Sequence, residues 1–226
     1  MAIEIVKRGE KGEVSRSIVK STIQVTLVTF GIKILGLIKQ SVLASYCGAN
    51  EEMDSFFIAT GILVQLCAVI FSAISISFLS IHTEVLVRQG KDKANLLVNK
   101  VLRVFVPMAF IISLGFYIFS PTVAKFFAPA YTGKQLGILA KYIRIMSLSF
   151  VFWSYYLIIN VTLETNKRFL PGKAQGFFQN IFIIVAAIAL YSKYGVTALI
   201  YAFLLSGVAQ CVLVTIAARK EFKFVL

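Results

Sequence analysis

Six long apolar stretches, separated by short polar segments, dominate the pattern of hydrophobic and polar positions along this chain. Each stretch holds about 20 residues, the length at which an α-helix crosses the hydrocarbon core of a bilayer. None shows the alternation typical of the roughly 10-residue strands of a membrane β-barrel. The pattern therefore predicts an all-α integral membrane bundle of six transmembrane helices. The predicted spans are Thr22–Tyr46, Ser55–Ile81, Val101–Ser120, Tyr142–Leu163, Gly172–Tyr191 and Val196–Ala217.

The segments between these spans are too short to hold a soluble domain. We expect a basic cytoplasmic N-terminal segment over residues 1–20, the six-helix lobe over residues 21–218 and a basic cytoplasmic tail over residues 219–226. Residues 82–100 are predicted to form a polar loop, and residues 121–141 connect the third span to the fourth.

Composition supports a membrane protein, since 58% of the residues are hydrophobic and only 15% are charged. An average globular domain is about 45–50% apolar and about 25% charged. The net charge of +13 raises the possibility of nucleic-acid binding. However, the Lys and Arg residues lie mostly in the short segments between spans, as in other helical membrane proteins. We therefore predict membrane lipid as the surroundings and no nucleic acid as a partner.

The side of the membrane is predicted by the distribution of basic residues. Of the 23 Lys and Arg residues, 16 lie on the same side as the two termini and 5 lie on the opposite side. Because cytoplasmic segments carry the excess of Lys and Arg, both termini are predicted to be cytoplasmic. The remaining two, Lys33 and Lys39, fall inside the first span.

Lys33 is the strongest candidate for a functional residue. A cation near the bilayer centre costs about 2.5–3.5 kcal/mol on insertion scales, so something must compensate it. Helical spacing places Lys33 on one face of the first span with other small or polar residues, which predicts a wet or interhelical stripe. The stripe is formed by Thr22, Thr26, Thr29, Lys33, Gly36 and Gln40.

A second stripe of small and polar residues follows the second span, at Gly61, Gln65, Ala68, Ser72 and Ser75. Two such faces would line a shared cavity. Small residues also let membrane helices approach closely, and for this second stripe we favour ordinary helix packing.

Two charged residues are candidates near the outer end of these helices. Lys39 is six residues beyond Lys33 and turned off the stripe, so it is either a second functional cation or a side chain that reaches the headgroups. Asp54 begins the second span and is the natural counter-ion for Lys39. The alternative for Asp54 is an acid that stabilises a helix N-terminus, as Glu51 and Glu52 would.

Other chemistry is not indicated, and we predict no catalytic residues, no metal and no cofactor. Cys47, Cys67 and Cys211 lie far apart and are expected to be buried small hydrophobes. His82, the only histidine, is expected to lie at the cytoplasmic interface. The amides of the later spans, including Asn160, Asn180 and Gln210, are expected mostly to bond between helices. The sequence shows no nucleophile paired with a general base, so an enzyme is not predicted.

Several motifs resemble the MurJ/MviN-type lipid II flippases, within the superfamily of multidrug and oligosaccharidyl-lipid exporters. The resemblance covers about residues 20–190. It is carried by Lys33-Ile-Leu-Gly36-Leu-Ile-Lys39-Gln40, Tyr46-Cys-Gly48-Ala49-Asn50, Asp54-Ser-Phe56-Phe57-Ile-Ala59, Phe127-Ala-Pro129-Ala-Tyr131 and Asn166-Lys-Arg168-Phe169-Leu-Pro171.

The resemblance implies one lobe of a two-lobe transporter in the bacterial cytoplasmic membrane. The lobes would open alternately to either side and expose a cationic cavity to a polyprenyl-diphosphate-linked saccharide. By position, Lys33 would be a cavity cation, and Lys39 with Asp54 would match the family's outer charged pair. Gln40 replaces an acidic residue that is usual in that family.

Two departures shape the functional interpretation. Near Leu66, Cys67 and Ala68 the chain lacks the arginine pair of lipid II flippases, which favours another lipid-linked oligosaccharide, as in O-antigen or capsule export, or a lost activity. The six spans match an N-terminal lobe, so a second lobe or a homodimer would complete the transporter. The alternatives are a lobe of an ion-coupled multidrug exporter, which needs membrane acids, and a non-transporting membrane scaffold.

Overall fold

The computed structural model describes residues 2–221, with the side chains of residues 22–71 and 73–221. Within residues 2–221 the regular structure is helical and no strand is present. Six stretches are long and apolar enough to cross a membrane, which confirms the predicted all-α bundle of six transmembrane helices. The helices are α1 (Ala2–Cys47), α2 (Glu51–Gln89), α3 (Lys91–Ile118), α4 (Ser120–Phe127), α5 (Gly133–Met146), α6 (Ser149–Thr165), α7 (Leu170–Ala189), α8 (Tyr191–Tyr194) and α9 (Val196–Ala218).

The junction of α2 and α3 differs from the prediction. We expected a polar loop over residues 82–100, but α2 continues to Gln89 and α3 begins at Lys91. The loop prediction is wrong, because these polar residues form the helical ends of a hairpin. Gly90 alone turns the chain, with φ at 84° and ψ at 177°. Glycine adopts such a positive φ without the steric penalty of a side chain.

The fourth membrane-spanning helix is also longer than predicted. It begins at Gly133 rather than at Tyr142, and α5 and α6 together cross the membrane. Only Ser147 and Leu148 separate these two helices, and both residues keep right-handed helical dihedral angles. Basic residues at positions 134 and 141 lower the local hydropathy, although they do not interrupt the helix.

Two hydrophobic clusters hold the helices together. The larger one includes Phe71 of α2, Phe150 of α6 and Leu199 of α9, all at most 1% exposed. The smaller one joins α2, α3, α6 and α9 through residues such as Phe78 and Val214. Helix α2 packs on α5 and α6, whereas α7 packs on both α1 and α9.

Helix α1 is the least buried of the membrane-spanning helices. Between Thr22 and Cys47, only Leu43 and Cys47 are buried. Its main neighbour is α7, so one side of α1 is packed and most of its surface is not covered by the described residues.

The predicted terminal segments are described only in part. The backbone of residues 2–20 continues α1 without interruption. Of the predicted tail, residues 219–221 follow α9, and residues 222–226 lie outside the described residues.

Candidate functional site

Apart from Gly36, the polar stripe of α1 lies on surface that no other described helix covers. Lys33 and Gln40 are exposed, as are the three threonines of the stripe, and Gly36 is half-buried. Within the described residues, the Lys33 ammonium has no hydrogen-bond or ion-pair partner. At membrane depth, an exposed cation needs water, an anionic ligand or another protein surface beside it.

The other side of α1 is fixed against α7. The Nδ2 of Asn180 donates a hydrogen bond to the main-chain oxygen of Ile32, across 3.2 Å. Gly36 faces the same amide, since a Cβ at Gly36 would lie 3.7 Å from Nδ2. On α7, a Cβ at Gly176 would lie only 2.7 Å from Cγ2 of Ile32. These glycines therefore let the two helices approach closely at the depth of Lys33.

Lys39 is half-buried and lies off the stripe. It stands seven residues after Ile32, so it lies near the packed side of α1. Among the described residues, its ammonium makes no ion pair with Asp54 within 4.0 Å. The structure therefore does not bring Lys39 and Asp54 together as the predicted counter-ions.

Asp54 lies in the first turn of α2, beside Glu51 and Glu52. The helix begins with Asn50, whose side chain accepts a hydrogen bond from the backbone N–H of Met53 at 2.9 Å. Acids in a first helical turn interact favourably with the helix dipole, so Asp54 has the structural role considered as its alternative. Desolvation first, and then the Asp54 carboxylate, raise the pKa of the Tyr131 phenol. The carboxylate therefore lies near the loop that follows α4.

The small and polar stripe of α2 is not a packing surface within the described part of the chain. Gly61, Gln65 and Ala68 are exposed, Ser75 is half-buried, and the Ser72 side chain is not among the described ones. A Cβ at Gly61 would meet nothing within 4 Å. We favoured helix packing here; among the described residues α2 packs instead through another face, with Phe56, Cys67 and Phe71, so no described helix covers this stripe.

Of the remaining polar candidates, His82 and Gln210 connect helices, whereas Asn160 bonds within its own helix. His82 is buried, and its Nδ1 lies 3.0 Å from the Thr165 hydroxyl, so it joins α2 to the end of α6. Gln210 donates to the Pro171 carbonyl at 2.9 Å, whereas Asn160 donates to Glu164 within α6 at 2.8 Å.

The three cysteines form no disulfide, although the Cys211 thiol donates a hydrogen bond to the Phe152 carbonyl oxygen at 3.3 Å. Cys47 and Cys67 are buried as free thiols, and Cys211 is half-buried. No group of three His, Cys, Asp or Glu residues could hold a metal ion in this part of the molecule.

Two contacts of α7 with Ile32 of α1 were missed in the sequence. One is the close approach of Gly176, and the other is the hydrogen bond from Asn180. Their signal is the four-residue spacing of Gly172, Gly176 and Asn180 on one face of α7. This spacing is typical of close contacts between membrane helices.

Comparisons with known proteins agree with this architecture. The family model of the lipid II flippase MurJ matches residues 43–225. A protein described as lipid II flippase MurJ, from Thermosipho africanus (strain TCF52B), is 27% identical over 194 residues, which cover 85% of this chain and 40% of that protein. A solved structure of lipid II flippase MurJ in its inward closed conformation superposes with a TM-score of 0.76 at 25% identity. The superposition covers 90% of this chain and 43% of that chain.

This chain therefore spans less than half the length of the relatives that it matches. The match nevertheless extends through most of the six-helix bundle and reaches from the end of α1 to beyond α9. By sequence and by fold, the chain belongs to the lipid II flippase MurJ family.

Proposed function

We propose that this chain forms one lobe of a flippase that moves a polyprenyl-diphosphate-linked saccharide across the bacterial cytoplasmic membrane. Family membership supports lipid-linked precursors as the substrate class. The single observation that carries the proposal is Lys33, an exposed cation at membrane depth on a polar helix face, with no partner among the described side chains.

The chemistry of Lys33 suits a diphosphate. An ammonium offers three donors and a full positive charge, and its hydrogen bonds to phosphate oxygens are about twice as strong as neutral ones. The threonines and Gln40 of the same face add polar groups for sugar hydroxyls or water. Because α1 is held against α7 at Ile32, the cation stands on a positioned helix.

The uncovered stripes of α1 and α2 support a second lobe as partner. Alternating access needs two bodies that rock about a site at their interface. One lobe with both polar faces uncovered supplies half of such an interface. The partner is either a separate lobe or a second copy of this chain.

Our preference for the type of saccharide rests on how few cations the surface carries. The α2 stripe contributes Gly61, Gln65 and Ala68, and no basic residue. The resemblance to lipid II flippases predicts an arginine pair near these positions. We therefore favour a lipid-linked oligosaccharide other than lipid II, with a peptidoglycan precursor as the competing substrate.

The alternatives have less support in the described helices. A multidrug exporter needs acidic residues at midplane depth, whereas Glu51, Glu52 and Asp54 lie in the first turn of α2 and Glu84 lies near its other end. The family consists of transporters, and we place this chain among them rather than among enzymes. A non-transporting scaffold remains as an outcome of the test below.

Reconstitution in liposomes tests the proposal. A short polyprenyl-diphosphate disaccharide with a fluorescent label is incorporated, and its movement is followed by quenching from outside.

We expect no flipping by the monomeric chain and flipping when a second lobe is supplied. Flipping by a proven monomer overturns the proposal that the chain is half of a transporter. Flipping by a dimer of this chain alone indicates that two copies form the transporter. A folded chain that never flips the probe, with any second lobe, is a scaffold. Running the same assay with labelled lipid II separates the two substrate candidates.

A further inference from the structure

A cavity of about 350 Å³ lies between α1 and the turn that joins α6 to α7. Gln24 of α1 lines one side, and Lys167 with Arg168 lines the other. Phe169 and Leu170 add an apolar wall. The cavity is distinct from the Lys33 surface, because Gln24 precedes Lys33 by about 13 Å along the helix axis.

The turn that carries the two cations is firmly held. The backbone N–H of Arg168 donates to the Leu163 carbonyl at 2.8 Å, and that of Lys167 donates to the Glu164 carbonyl at 2.9 Å. Arg168 Nη1 also donates to the main-chain oxygen of Ala217 at 2.6 Å. These bonds fix the position of both basic residues at the end of α6.

The two cations differ in how far their charges are neutralised. Arg168 lies 3.3 Å from a carboxylate oxygen of Glu221, so its charge is partly compensated. The Lys167 side chain is exposed, and it has no partner among the described residues. One uncompensated ammonium therefore stands at a cavity that also offers an amide and a guanidinium.

The combination of cations, an amide and an apolar wall defines the class of ligand. Phosphate oxygens accept hydrogen bonds from ammonium and guanidinium groups, whereas a hydrocarbon chain fits against Phe169 and Leu170. The cavity lies where α6 ends and α7 begins, at the end of two membrane-spanning stretches. Lipid headgroups occupy that level of a bilayer, and each basic side chain there attracts anionic lipids.

We propose that this cavity binds the phosphate group of a membrane lipid, with Lys167 as its principal cation. The inference does not rest on transport, because binding to this cavity needs no second lobe. It also predicts a lipid that remains with the chain in detergent. The source of the phosphate is either an anionic phospholipid or a polyprenyl diphosphate.

Lipid binding to the purified full chain in detergent tests the site. Native mass spectrometry is carried out with phosphatidylglycerol, with geranylgeranyl diphosphate, with inorganic phosphate and with zwitterionic phosphatidylcholine. The test variant is Lys167→Gly, because Lys167 has a φ of 60° that glycine adopts freely. Removing the charge therefore does not strain the turn. The matched control is Lys100→Gln, which removes an exposed cation of α3 away from the cavity.

We expect Lys167→Gly to weaken binding of one anionic lipid, phosphatidylglycerol or geranylgeranyl diphosphate, about fivefold, the effect of one basic side chain near an anionic surface. The lipid that responds identifies the source of the phosphate. Phosphatidylcholine binding and the Lys100→Gln variant should change little. The proposal is overturned by equal binding to Lys167→Gly, by an equal loss in Lys100→Gln, or by inorganic phosphate as the sole ligand. Lys167→Arg, which keeps the charge, should retain binding, and a loss there would also count against the site.

Discussion

Asn180 of α7 donates a hydrogen bond to the main-chain oxygen of Ile32, and this bond ties α1 to the bundle one residue before Lys33. The Ile32 carbonyl lies within a continuous helix, so the amide adds an interhelical bond to the helical one. Such bonds contribute about 0.6 kcal/mol on average between membrane helices. This bond, together with the close approach of Gly176 to Ile32, places Lys33 relative to α7.

The closeness of that contact predicts different responses at two glycines. Gly176→Ala places a Cβ 2.7 Å from Cγ2 of Ile32, a β-branched side chain with little rotational freedom. We expect a loss of about 1–3 kcal/mol in the free energy of unfolding. The measurement is unfolding of the purified chain in mixed micelles.

Gly36→Ala is the matched control for this prediction. Its Cβ would lie 3.7 Å from Asn180, an ordinary van der Waals distance, so stability should hardly change. Ile32→Ala removes the atom that clashes and should restore part of the loss in the double variant. Equal effects of the two glycine variants would contradict the close approach.

Lys33→Ala should lower transport by the complete two-lobe assembly by about ten- to a hundredfold, the cost of one hydrogen bond to a charged group. Membrane insertion should be unaffected or improved, because a cation near midplane depth opposes insertion. Lys33→Arg should retain much of the activity, since either cation binds diphosphate. Transport is measured with the fluorescent lipid at equal protein levels.

The control for Lys33 is Lys39→Ala, which removes a half-buried cation of the same helix that lies off the stripe. Its effect should be milder. Full transport by Lys33→Ala would defeat the proposed role and would leave the stripe as a contact surface for the second lobe.

Lys39 and Asp54 should act independently in the state described by the structure. No ion pair joins them within 4.0 Å among the described residues. The effects of Lys39→Ala and Asp54→Ala on stability should therefore add within about 0.5 kcal/mol. Coupling well above that value, in the double variant, would show that the two side chains meet in a populated state.

Cysteine labelling tests the orientation predicted from the charge distribution. A cysteine at Ala49 should react with an impermeant reagent from outside, whereas one at Gln89 should not. Both positions are exposed in the structure, and neither carries a helix cap or an ion pair. The parent chain is the control, because Cys47 is only 7% exposed. The reverse labelling pattern would place the termini outside.

The number of membrane helices could be predicted from the sequence, but their ends could not. Hydropathy reports where side chains suit lipid, whereas a helix continues as long as its backbone bonds are satisfied. Residues 82–89 and 91–100 include many polar side chains and are nevertheless helical for that reason. The same difference explains why α5 begins at Gly133.

Helical periodicity predicted which face of α1 is polar, because spacing alone places Lys33 and Gln40 together. It could not predict what covers the opposite face, since that depends on the approach of α7. For α2, small residues suit both packing and an open surface. For Gly61 and Ala68, only the position of the other helices shows whether the face is packed or open.

The single residue between α2 and α3 has a mechanical consequence. Helix α2 contains 39 residues and is about 58 Å long, whereas the hydrocarbon core is about 30 Å thick. Because Gly90 is the only residue between them, the end of α2 and the start of α3 stay adjacent in space. A sideways displacement of this end of α2 therefore carries the start of α3 with it, even where the two helices change their angle at the glycine.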